Sequence, residues 1–142
     1  MSDLTLIRRE IVSDILNNYK NKADEEAEII KKLISADDST IGELVYAHLK
    51  AFVLSKFMLD PETSEDNIIK LAELSIERSF KLDKSIVAEL DKAMPCSSAS
   101  SATAKRILLL YAIQKEIRHD IDPERLVTAA TVRELSGLII AM

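Results

Sequence analysis

The sequence predicts an all-α protein, a small helical bundle, on three observations. Apolar residues recur at three- and four-residue steps through most of the chain, the period of helices with one buried face. Glycine and proline number only two and three, too few for the turns that closely spaced hairpins need. Helix start signals, a capping hydroxyl or acid with a further acid nearby, stand at the head of several of the apolar stripes. With 47% apolar and 30% charged residues, such helices can bury a core and keep a solvated surface, which argues against a disordered chain.

The first stripe is Leu4, Ile7, Ile11, Ile15 and Tyr19, with Asp3 as its N-cap. Asn17, Asn18 and Asn21 weaken helix formation, so a break is expected there before Ala23, Ala27, Ile30 and Leu33 resume the pattern to about Ile34. One continuous helix is the alternative. Thr40, Ile41, Gly42 and Glu43 form a capping box. It opens a helix whose Leu44, Val45, His48, Leu49, Phe52, Val53 and Phe57 share a broad face and which ends near Asp60 and Pro61. Ser64, Glu65 and Asp66 start a third helix that buries Ile68, Ile69, Leu71, Ala72, Ser75, Ile76 and Phe80. A shorter piece carries Ile86, Val87, Leu90 and Met94 and stops at Pro95.

The small, polar residues 96–103 form a loop that enters a helix bearing Ile107, Leu108, Leu110, Tyr111, Ile113 and Ile117. Asp122, Pro123 and Glu124 supply the N-cap, first-turn proline and first-turn acid of a short helix with Leu126 and Val127. Thr131 and Glu134 form a second capping box, opening a final helix with Leu135, Leu138 and Ile139. Ile107, Leu110, Ile117, Ile121, Leu135 and Leu138 are expected to share one core. Residues 1–64 read as an N-terminal helical extension that packs on residues 65–142 through Leu49, Phe52, Val53 and Phe57.

A net charge of −5 with no basic stripe argues against a nucleic-acid partner. No apolar run approaches the roughly 20 residues needed to span a bilayer, so no membrane is expected as a partner. The lone Cys96 excludes an intramolecular disulfide and clustered thiolate ligands, pointing to a cytoplasmic protein. His48 and His119 are far apart and lack metal-ligand spacing, so no metal is predicted; His48, on an apolar face, reads as a core or interface histidine. Glu25, Glu26 and Glu28 with Lys31 and Lys32 read as solvated helix surface. Cys96 follows Pro95 near a helix start, where a dipole can lower a thiol pKa, but no histidine adjoins it and it reads as a loop cysteine. With neither a nucleophile elbow nor a glycine-rich phosphate loop, the expectation is a protein that is not an enzyme.

From Thr103 onward the pattern is more specific. Ile107, Leu110, Ala112, Ile113 and Ile117 are followed by Ile121 and Pro123, then by Thr131, Val132 and Leu135. This order resembles the second half of an acyl or peptidyl carrier protein: a helix begun by the prosthetic-group serine, an Ile-x-Ile-x-Pro-Glu loop, a short helix and a Thr-Val-x-x-Leu final helix. The resemblance covers residues 103–142, or 65–142 if residues 65–80 serve as the carrier's first helix. It implies a carrier-like fold, a 4'-phosphopantetheine arm on a serine, and partner biosynthetic enzymes that dock on the helix after that serine. Collinear with the family's serine stands Thr103, between Ala102 and Ala104 in place of the usual Gly-x-Asp-Ser-Leu context; Ser98 and Ser101 are the serines that can stand in for it. The family's docking helix is acidic, whereas this one carries Lys105, Arg106, Lys115 and Arg118, which would present a basic surface. Two function classes therefore fit: an atypical or degenerate carrier-like protein, and a non-catalytic helical interaction module, self-associating or not, without phosphopantetheine.

Overall fold

The computed structural model describes residues 2–36, 41–80 and 101–140. Six helices follow one another among the described residues: α1 (Ser2–Ser35), α2 (Ile41–Lys56), α3 (Ile68–Phe80), α4 (Ala102–Glu116), α5 (Pro123–Leu126) and α6 (Val132–Ile140). The side chains of Leu4, Ile7, Ile11, Ile15 and Phe80 lie outside that description, as do Thr40, residues 86–94 and Cys96.

α1 runs unbroken through Asn17, Asn18 and Asn21, which corrects the break expected there. An asparagine costs a helix about 0.7 kcal/mol at most relative to alanine. Burial of Ala23, Ala27 and Ile30 in the core, where α1 packs on α2, outweighs that cost. The two helices run antiparallel: Glu26 of α1 meets His48 of α2, while Asn18 and Lys22 face Ser55 and Ala51. Glu26 is a second correction, because only 3% of it is exposed. Its Oε2 lies 2.5 Å from His48 Nδ1 and its Oε1 2.8 Å from Lys22 Nζ. The carboxylate accepts from both, so His48 carries its hydrogen on Nδ1 and the pair joins α1 to α2.

Val45, Leu49, Phe52, Val53 and Phe57 are all buried, while Leu44 is exposed. α2 ends at Lys56, and two residues on Met58 takes a left-handed φ of 55°. The Leu59 amide donates to Leu54 O (2.8 Å) and the Met58 amide to Ser55 O (3.1 Å), the Schellman arrangement in which glycine is usual. Burial of the Met58 side chain offsets the strain of that backbone. The Ser75 hydroxyl of α3 donates to Phe57 O (2.8 Å), fastening the same turn from the other side.

α3 begins at Ile68 with Asn67 as its cap, its Oδ1 accepting from the Lys70 amide (3.0 Å). Asp66, just before it, is a polar hub. Its Oδ1 accepts from the Tyr46 hydroxyl (2.5 Å) and from Lys50 Nζ (3.2 Å), both on α2, and its Oδ2 from the Arg133 amide of α6 (3.1 Å). The main chain joins in: the Val132 amide donates to Asp66 O and the Ile68 amide to Ala130 O, each 2.9 Å, making an isolated antiparallel bridge between Asn67 and Thr131. Thr131 caps α6 as the sequence predicts, with Oγ1 accepting from the Glu134 amide (3.1 Å). Glu134 returns to the Ala130 amide (2.8 Å), one residue before the cap.

α6 packs on α2, and α4 packs on α3 and touches α5. One buried cluster runs from Ala23 through Ile113 and Ile121 to Leu135 and Ile139. Leu110, Ile117, Ile121 and Leu135 belong to it, with Leu138 packed at its edge. Ile107 does not: it is 59% exposed. Residues 107–110 are all apolar and surround the helix. Leu109, Ala112 and Ile113 take the inner side, and Ile107, two residues from Leu109 and so about 200° round from it, must face out.

Two expected outcomes follow from this packing. Leu110→Ala should lower stability by about 2–5 kcal/mol in chemical denaturation, since Leu110 is only 5% exposed. For Asp66, burial pushes the carboxyl up. The hydrogen bonds from Tyr46, the Arg133 amide and Lys50 outweigh burial and hold it below its ordinary value. A carboxyl depressed in the folded state contributes stability above its unfolded pKa and loses it as pH falls through the folded one. Asp66→Asn should therefore cost about 1–3 kcal/mol at pH 7, and its gap to wild type should close as pH drops below about 4; a gap unchanged in acid would contradict this.

Candidate functional site

The α4 N-terminus holds two of the three predicted site residues. Ser101 is the N-cap, in extended conformation (φ −125°, ψ 150°), and its Oγ accepts from the Ala104 amide (3.1 Å). Thr103 lies in the first turn, exposed, one turn before Ile107. Ser98 lies outside the described residues. The first turn of α4 carries no acidic side chain, so its unpaired amides keep their positive character.

From that cap a ridge winds along the outer side of α4. Thr103, Ile107, Tyr111 and Lys115 follow at four-residue steps, and all four are exposed, Ile107 at 59% and Tyr111 at 61%. Two large apolar side chains so exposed on one helix are unusual for a surface that meets only water. Val127, just beyond α5, is also exposed.

The basic surface expected from Lys105, Arg106, Lys115 and Arg118 is largely absent. Lys105 is fully buried. Arg106 Nη2 donates to Val127 O and to Ala129 O (3.0 Å), tying α4 to the chain between α5 and α6. Arg118 Nη1 donates to Ile139 O at the end of α6, and its Nε lies 3.2 Å from Asp120 Oδ1. Arg106 and Arg118 are spent on main-chain carbonyls of a loop and of helix ends, a use that net charge does not reveal. Lys115 alone of the four is exposed. Further along α4, Glu116 pairs with Lys56 of α2 (2.7 Å).

Asp122 accepts from the Glu124 amide (3.0 Å) and Pro123 opens α5, as its sequence predicts. Gln114 Nε2 donates to Ile121 O (3.1 Å), holding the loop between α4 and α5 against α4. Among the described residues no group of histidine, cysteine and acidic side chains is arranged to hold a metal. No helix among them is long and apolar enough to cross a membrane.

No protein-family model, no curated protein and no solved structure matches this chain. Its function has to be argued from its own geometry.

The ridge is legible in the sequence only in hindsight, as the complement of the buried positions 105, 109, 112 and 113. The arginine clamps have no sequence signature. The cap can be tested directly: Ser101→Ala should lower the melting temperature by the equivalent of about 1 kcal/mol. Thr103→Ala, at an exposed helical position, should be neutral or slightly stabilising. Equal losses from both substitutions would deny Ser101 the capping role.

Proposed function

We propose that this chain is a carrier-like helical protein that performs no chemistry of its own and meets partner enzymes through the outer ridge of α4. In an atypical carrier, a serine of residues 97–101 holds a 4'-phosphopantetheine thioester arm; a degenerate one docks without it. The observation that carries this proposal is the exposed ridge of Thr103, Ile107, Tyr111 and Lys115, which starts beside an exposed serine at a helix N-terminus. A phosphodiester there meets unpaired amides and no acid in the first turn, a setting that favours an anion. Apolar side chains beside the attachment point provide desolvated area for a partner groove.

The order of the described helices α3, α4, α5 and α6 supports this reading: a helix that can serve as the carrier's first, a docking helix, a short helix and a capped last helix. A second reading, an interaction module without phosphopantetheine, draws support from Ser101, whose oxygen already serves as a helix cap.

Co-expression with a promiscuous phosphopantetheine transferase, followed by intact mass, separates the two. Wild type should gain one phosphopantetheine, and either Ser98→Ala or Ser101→Ala should abolish the gain. Replacing both Ile107 and Tyr111 with serine should leave stability close to wild type but slow the modification at least tenfold. An unmodified wild-type chain would reject the arm and leave the degenerate carrier or the interaction module.

A further inference from the structure

Between α1 and α2 lies a cleft of about 430 Å³, open to solvent on one side. Its floor is apolar: Ala51 and Leu54 from α2, with Leu59 and Pro61 from the chain that the left-handed turn at Met58 carries across the end of the helix. Its other wall is the polar side of α1, with Asn18, Tyr19 and Lys22, and Ser55 adds a hydroxyl. Among the described residues that line the cleft, Lys22 is the only charged one. Glu26 takes one of the three N–H groups of its ammonium, and the Lys22 side chain remains half exposed. The Glu26 carboxylate raises the pKa of Lys22, through its hydrogen bond first and its charge second, which keeps the ammonium protonated.

These features limit the occupant. The volume suits a small molecule. The one cation among the described lining residues suits a singly charged head and falls short of what a nucleotide's phosphates require. Four apolar side chains beneath that cation suit a short hydrocarbon body.

We propose that the cleft between α1 and α2 binds a small aliphatic carboxylate, with its chain against Leu54, Leu59 and Pro61 and its head at Lys22. The site shares no residue with α4 and stands whether or not α4 is a docking helix.

Octanoate is the probe, added to the full chain and followed by calorimetry and by amide chemical shifts. A ligand of about ten non-hydrogen atoms should bind in the high-micromolar to millimolar range. The shifts should centre on residues 18–22 and 51–61. Octanol should bind about three- to fivefold more weakly, as expected of a partly exposed charge contact, and Lys22→Gln should bring octanoate down to the level of octanol. Ala51→Phe should fill the cleft and abolish binding; if that variant unfolds, Ala51→Leu serves with the shift map. The proposal is overturned by a folded wild type that shows no saturable octanoate binding, by binding that persists in the filled variant, or by shifts centred elsewhere. Equal affinity for octanol and octanoate, unchanged in Lys22→Gln, would overturn the role of Lys22.

Discussion

The carboxylate of Asp66 is the contact on which the arrangement of the other helices depends. It receives a hydroxyl and an ammonium from α2 and an amide from α6, while the main chain on either side of it is bonded to the start of α6. Apolar burial supplies most of the energy of a bundle like this but is non-directional, and it tolerates helices sliding past one another. A charged acceptor with donors on three sides is directional, and moving it by an ångström breaks several charge-assisted bonds at once. The starts of α3 and α6 are thereby held side by side, and α6 is held against α2. Arg133 extends the same junction outward, with its guanidinium 3.7 Å above the Tyr46 ring and paired with the exposed Glu43. That outer pair adds little, since water screens it.

α4 is fixed differently. Its inner side packs on α3, and Arg106, Gln114 and Arg118 reach main-chain carbonyls in the loops and helix ends around it. The positive charges that would otherwise colour its surface serve as internal fasteners. What is left outside is a hydroxyl, an aliphatic side chain, a phenol and one ammonium in line. One side of the helix thus anchors it, and the other is left to solvent.

Much of this was legible in the sequence where local chemistry decides. Asp122 and Thr131 cap their helices because the donors they satisfy lie two or three residues away, and Pro123 opens α5 because a first helical residue needs no amide hydrogen. The inner face of α2 followed from its period. Where tertiary contacts decide, the sequence was silent or misleading. The asparagines of α1 suggested a break because propensity weighs only the isolated helix, and Glu26 looked like surface because its partner His48 stands on another helix. Ile107 looked like core because four consecutive apolar residues give no phase, and phase is set by what lies opposite. Asp66 passed as a helix-start acid, since its donors are spread over residues 46, 50 and 133. At the candidate site, Ser101 was legible as a helix-start serine, whereas the loss of the basic surface required coordinates.

The outward line of α4 has a further consequence for how such a protein can change over generations. Positions 103, 107, 111 and 115 project into solvent and carry none of the buried area that holds the bundle together. Substitutions there are nearly free of folding cost, whereas those at 105, 106, 109 and 113 are not. On the docking role proposed for α4, a preference for one partner over another would drift along these four residues while the scaffold stays under constant selection. Sequences diverging under that regime would keep their clamps and caps and scatter along the ridge.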